Sequence, residues 1–200
     1  MAFEQRGRSG GSRKRTSGFS PSRGRDDEST ESKPAREKKP PTPERLEQRA
    51  RNVLLHQLAR SAKSTQQLRK ILENREIPSE IAERVLERFT EVGLIDDAAY
   101  AETIVNSRRN FKGLSKSAIK RELNEKGVPA PLIESAIESI TAEDDFEAAK
   151  ELAARRIRQM SALTRDVRER RLAGYLGRKG YPSSVVFAAI KFAESQIESV

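Results

Sequence analysis

The chain has 200 residues, room for one or two small domains, and carries 39 Lys and Arg against 30 Asp and Glu, a formal net charge of +9. With 35% hydrophobic residues, no Trp, no Cys and one His, it excludes a single 200-residue core, a disulfide framework, a thiolate metal centre and an ordinary zinc site. No window approaches the roughly 18 apolar residues of a membrane span and no apolar signal region follows Met1, so a cytoplasmic protein with an anionic partner is expected.

Residues 1–46 are rich in Arg, Ser, Gly, Pro and Glu and hold few large apolar side chains, among them Phe3, Phe19 and Leu46. Such a segment buries too little to offset chain entropy, and a disordered tail is predicted. Its first 25 residues carry seven basic groups against Glu4, a net of +6, which either attracts a polyanion or simply keeps the tail solvated. Asp26, Asp27 and Glu28 argue against a transit peptide.

From Glu47 the composition turns to Ala, Leu, Ile, Glu, Lys and Arg at helical spacing. A first helix is predicted over Arg49 to Arg60. A second begins near Thr65, because Ser64 with Gln67 three later forms a capping box and Leu68, Ile71 and Leu72 line one face. Further helices are predicted over Asp97 to Arg109 and Asp144 to Met160, the latter opened by Thr141. Gly127 and Gly180 read as helix stops. No strand-like alternation is convincing, so the fold class is all-α.

Three segments align on a proline. Leu68, Leu72, Arg75, Ile77, Pro78, Ile81, Val85 and Leu86 match Ile119, Leu123, Lys126, Val128, Pro129, Leu132, Ala136 and Ile137, and then Leu172, Leu176, Lys179, Tyr181, Pro182, Val185, Ala189 and Ile190. Each unit therefore reads as helix, helix, proline turn, helix: repeat 1 over 47–95, repeat 2 over 96–140 and repeat 3 over 141–200. Units this short lean on their neighbours, and an elongated, curved array of three tandem three-helix repeats is expected. The proline belongs at the start of each third helix, where its missing donor costs nothing.

The phrase Gly93-Leu94-Ile95-Asp96-Asp97-Ala98-Ala99-Tyr100-Ala101, followed by Arg108-Arg109 and Ile119-Lys120-Arg121-Glu122-Leu123-Asn124-Glu125-Lys126-Gly127-Val128, resembles the bacterial RecX family. Leu172 through Arg178-Lys179-Gly180-Tyr181 is similar to that family's C-terminal repeat. The resemblance spans roughly Arg51 to Ile190, and the middle unit is its most specific part. It implies a tandem three-helix modulator of the RecA recombinase that lies in the groove of the RecA–DNA filament. There it would restrain filament assembly, ATP hydrolysis, strand exchange and co-protease action in DNA repair, recombination and the SOS response. The sequence departs from the family at Glu76, which replaces the glycine found at Gly127 and Gly180, and in the basic tail, which short members lack.

No catalytic, cofactor-binding or metal residues are predicted. His56 has no Cys to activate and no second His, and acid/base work needs a placed partner. Gly113-Leu114-Ser115-Lys116-Ser117 lacks the Gly-Lys adjacency and preceding strand of a phosphate loop; Ser115 reads as a cap equivalent to Ser64. Asp96-Asp97 and Asp144-Asp145 stand at helix starts, where they complement the macrodipole.

Function is expected instead in the basic residues. Nine lie between Arg155 and Lys179 against Asp166 and Glu169, a net of +7 in 25 residues. The candidates for contact with RecA or DNA are Arg155, Arg156, Arg158, Arg165, Arg168, Arg170, Arg171 and Arg178, with Arg108, Arg109, Lys116, Lys120 and Arg121 in the middle unit; Lys112 and Lys126 add to it. Arg108, Arg109, Lys120 and Arg121, and likewise Arg156, Arg158, Arg170 and Arg171, lie off the apolar positions Ile119, Leu123, Leu172 and Leu176, so their replacement is expected to open no cavity. Arg75, Lys126 and Lys179 end the same helix in each copy, where dipole complementarity explains them without a ligand. Arg168 occupies the place of the caps Ser64 and Ser115, so that helix either starts a turn earlier, near Thr164, with Arg165 and Arg168 projecting past the core, or is bounded differently. A non-enzymatic filament regulator is the leading expectation. The competing ones are a sequence-independent nucleic-acid binder acting without RecA and a helical scaffold for an acidic protein. No dimerisation heptad is visible, so a monomer is expected.

Overall fold

A computed structural model describes residues 42–198, and their helices follow the apolar periodicity. The first unit is α1 (Pro43–Leu58), α2 (Thr65–Glu73) and α3 (Ser79–Glu91). The second is α4 (Asp97–Ser107), α5 (Lys116–Glu125) and α6 (Ala130–Ile137), and the third is α7 (Ala142–Ile157), α8 (Arg165–Arg178) and α9 (Ser183–Glu198). A π-helical turn, Arg108–Lys112, prolongs α4, and a 3-10 turn, Arg158–Met160, prolongs α7. No strand occurs among the described residues, and the all-α succession of three-helix units agrees with the periodicity.

Helix ends depart from the predicted ones for local reasons. α1 starts at Pro43 rather than Arg49, since the ring fixes a helical φ at the entry and Glu44 complements the dipole in the first turn. Residues 43–46 are thus helix rather than tail, and Leu46 packs on the first core. The remainder of the predicted tail, 1–41, lies outside the described residues. Pro78 and Pro129 stand at the N-cap, one place before the first helical residue.

Each unit has its own hydrophobic cluster, filled by the proline-aligned positions. Leu68, Ile119 and Leu172, and likewise Leu72, Leu123 and Leu176, are fully buried; Ile77, Val128 and Tyr181 before the prolines close the cluster. On the third helices Ala82, Ile133 and Val186 are buried, and each is more deeply covered than the aligned residue before it, a register detail the eight-position pattern omits. First and third helices pair most extensively, α1 with α3, α4 with α6 and α7 with α9.

The units are joined by two copies of one polar joint. At the first, Ser64 Oγ accepts from Gln67 N (3.2 Å) and donates to the Lys126 carbonyl (2.5 Å), while Asp97 accepts from Thr65 N (2.8 Å). At the second, Ser115 Oγ accepts from Ala118 N (3.2 Å) and donates to the Gly180 carbonyl (2.7 Å), while Asp145 accepts from Lys116 N (3.1 Å). The start of one middle helix therefore abuts the end of the next. Both serines are fully buried, so their hydroxyls satisfy donors and acceptors that water cannot reach. Crowding here explains the glycines as much as their left-handed φ of 72° and 87° does. A Cβ on Gly127 would lie 2.5 Å from Gln66 Cγ, and one on Gly180 would lie 2.6 Å from Ala118 Cβ. Glu76 adopts the same left-handed conformation, φ 58°, but among the described residues no earlier unit abuts it, and its side chain is exposed.

Candidate nucleic-acid interface

The predicted basic residues divide into those engaged by the fold and those presented by it. Arg108 forms a two-pronged pair with Glu122 (Nε to Oε2 2.8 Å, Nη2 to Oε1 2.6 Å), both largely buried. The guanidinium donors hold the Glu122 carboxyl below the ordinary carboxylate range, and the same contact raises Arg108. Arg109 pairs with Asp145 and donates to the Leu114 carbonyl (3.3 Å). Lys116 Nζ donates to the Ile140 carbonyl (2.7 Å). Arg168 reaches inward to Glu194 (Nε to Oε1 3.0 Å, Nη2 to Oε2 2.5 Å) and to the Leu163 carbonyl (2.8 Å).

These placements correct two expectations. α8 does start after Thr164, but Arg168 turns into the core rather than past it, because Glu194 is only 2% exposed and needs a cation. Arg108 and Arg109 lie off the apolar positions and yet clamp α4's extension to α5 and α7, so their removal is expected to disturb the fold. Lys120 pairs with Glu134 (2.5 Å) and Arg165 with Glu169 (2.9 Å), both at the surface, where such pairs contribute about 0 to 1 kcal/mol.

Arg121, Arg155, Arg156, Arg158, Arg170, Arg171 and Arg178 are exposed, and among the described residues none has an ion-pair partner. Two adjoining depressions gather most of them. One, of about 550 Å³, lies between the π turn, α7 and α8 and is lined by Phe111, Lys112, Arg155, Arg156, Tyr175 and Lys179, with Glu151 as its carboxylate. The other, of about 460 Å³, is lined by Arg156, Met160, Arg170, Arg171, Tyr175 and Arg178 and has no carboxylate. Arg156 and Tyr175 belong to both. A third, of about 680 Å³, continues onto the middle unit through Lys112, Arg178, Arg121 and Lys126. The Tyr175 ring lies 5.7 Å from the Arg156 guanidinium and 5.4 Å from Lys179 Nζ, within the range of cation–π attraction. Lys179 also donates to the Lys112 carbonyl, which ties α8 to the π turn.

Lys179 thus does more than complement the end of α8. Tyr175 and Phe111 escaped the sequence reading. The signal for Tyr175 is an aromatic placed between Arg171 and Arg178; that for Phe111 is an apolar residue where the other repeats have Arg60 and Thr164.

The remaining polar candidates are occupied by backbone. Asp96 caps α4 through Ala98 N and Ala99 N (both 2.9 Å), and Asp144 accepts from Thr141 N (2.8 Å) in a capping box. Asp97 and Asp145 serve the joints, and Ser115 is the cap of α5. His56 is exposed on the last turn of α1. Among the described residues there is no group of three or more His, Cys, Asp or Glu arranged to hold a metal ion, and no helix long and apolar enough to cross a membrane.

Family models described as the first, second and third three-helix domains of RecX match residues 50–89, 96–137 and 143–190. The chain is 44% identical over 157 residues to the regulatory protein RecX of Streptomyces coelicolor, covering 78% of this chain and 83% of that one. It is 37% identical over 149 residues to the regulatory protein RecX of Thermobifida fusca, covering 74% and 80%. The crystal structure of RecX from Lactobacillus salivarius superposes with a TM-score of 0.64 at 19% identity, over 74% of this chain and 97% of that one. A second crystal structure, of a regulatory protein RecX, superposes with a TM-score of 0.62 at 28% identity, over 74% and 73%.

Proposed function

The chain belongs to the RecX family, and from that premise we propose that it is a non-enzymatic regulator of the RecA recombinase. It acts in the cytoplasm, as a monomer, on the RecA–DNA filament and lowers RecA's ATP hydrolysis, strand exchange and co-protease activity. The observation that carries this reading is the run of unpaired arginines on α7, its 3-10 turn and α8. Arg155, Arg156 and Arg158, with Arg170, Arg171 and Arg178, hold like charges close together without ion-pair partners among the described residues, and Glu151 is the carboxylate that lines their two adjoining depressions. Such an arrangement is relieved by a polyanion, which a nucleoprotein filament presents as DNA phosphates and protein carboxylates. Arg108, Lys116 and Arg168 shape the support for that face rather than belonging to it, and Arg109, held by Asp145, lines its edge. The non-enzymatic part of the reading is supported by the use of Asp96, Asp97, Asp144 and Asp145 as backbone acceptors, which engages these four carboxylates as caps and joints rather than as an acid/base pair.

The test measures RecA's ATP hydrolysis on single-stranded DNA with the full chain added, beside DNA binding without RecA. A fall in hydrolysis at protein concentrations too low to coat free DNA is expected. Tight DNA binding with RecA turnover unaltered at excess protein would overturn the proposal in favour of a nucleic-acid binder that acts alone, which the Tyr175 groove would also suit.

A further inference from the structure

Phe111 is out of place in the repeat. It stands eighteen residues before Pro129, and the same position before Pro78 and Pro182 holds Arg60 and Thr164, both exposed. The ring contributes nothing to the core, being 88% exposed. Its backbone is nevertheless held in place. The π turn Arg108–Lys112 takes up an extra residue, Gly113 follows in a left-handed conformation, and Arg108 and Arg109 on the same turn are clamped to Glu122 and Asp145. A Phe on a loose loop would fold back onto apolar surface; on this turn it is kept on the rim of the depression lined by Lys112, Arg155, Arg156, Tyr175 and Lys179.

We propose that this depression takes single-stranded nucleic acid, with an unpaired base stacked on Phe111 and the flanking phosphates held by Lys112, Arg155, Arg156 and Lys179. The inference rests on the reading of the basic face as a DNA contact and deepens it by choosing the form of the strand. Phosphates alone call for cations and give no use to an exposed ring. A duplex keeps its base faces stacked inside and offers that ring only sugar and phosphate edges, whereas an unpaired base presents a π face next to the charges the lysines and arginines match. An apolar pocket on a protein would suit Phe111 but not the four cations beside it.

The chain has no Trp, so Phe111→Trp supplies a single indole at the site. Titration of that full-length variant with a thymine oligonucleotide is expected to quench the indole at concentrations where the duplex of the same length leaves it unchanged. Phe111→Leu keeps apolar bulk without a ring, and it is expected to weaken single-strand binding about tenfold with the same salt slope, leaving duplex binding unaltered. Equal losses on single strand and duplex, or absence of quenching, would overturn the proposal. So would a Phe111→Leu variant that binds the oligonucleotide normally yet loses its effect on RecA, which would make the ring an anchor on protein. If quenching holds and the wild type leaves RecA's ATP hydrolysis unchanged, the strand site stands and the filament reading falls.

Discussion

Glu76 holds a backbone conformation that disfavours any side chain, at φ 58°, and a left-handed residue costs about 1 to 2 kcal/mol with a Cβ. Glu76→Gly is therefore expected to raise stability by up to about 1 kcal/mol in chemical denaturation, since the relief exceeds the added freedom of the unfolded chain. The converse substitutions separate strain from crowding. Gly93 has φ 72° and open space around its missing Cβ, whereas Gly180 has φ 87° and Ala118 pressed against it. Gly180→Ala should therefore lose about 1 to 3 kcal/mol more than Gly93→Ala. At Glu122 the prediction concerns pH. Its carboxyl is held below the ordinary value of 4.5 by Arg108, so the unfolded chain binds the proton at a higher pH than the folded one does. The pair's stabilisation is complete above the unfolded value and is lost as pH falls through the folded one. Glu122→Gln should flatten the acid limb of the stability profile in that window, read from melting between neutral pH and pH 3.

Between elements, the joints and the internal ion pairs carry what the apolar pattern does not. Leu123 is fully buried in the middle cluster, and Leu123→Ala should cost about 2 to 5 kcal/mol. Arg168→Ala should be comparably damaging, about 3 to 5 kcal/mol, because it leaves the Glu194 carboxylate 2% exposed and without its guanidinium. Thermal melts of Arg168→Ala and of an Arg168→Met, Glu194→Leu double variant check this: the double variant should recover most of the loss. The contrast between these two residues marks what could be read in advance. Leu123 was legible because the positions around Pro78, Pro129 and Pro182 share one apolar register, and the caps Ser64, Ser115 and Thr141 were legible from local spacing. Arg168 was not, since an arginine bound to a carboxylate 26 positions away reads in sequence like any exposed one. Arg109 with Asp145, 36 positions apart, escaped for the same reason. Phe111 escaped because helical periodicity does not anticipate a π turn.

For the whole molecule, the sorting of arginines makes two classes of variant with opposite signatures. Glu substitutions at Arg155, Arg156, Arg170 and Arg171 remove exposed charges without ion-pair partners among the described residues, so helical content and the melting transition should stay as in the wild type. Neutralising Arg108, Arg109 and Arg168 removes partners of buried or largely buried carboxylates and should lower the melting transition before function is considered. If the exposed set meets DNA, each lost phosphate contact lowers the slope of log affinity against log salt by about 0.7 on single strands, and the effect on RecA weakens in parallel. If it meets RecA carboxylates, DNA binding alone hardly changes while the effect on RecA still weakens. Measuring DNA affinity and RecA's ATP hydrolysis at two salt concentrations for the fourfold variant separates these outcomes. A folded variant with the wild type's effect on RecA would take this face out of the mechanism and move attention to the exposed apolar side chains Leu55, Val92 and Leu94, each of which shows about half its surface.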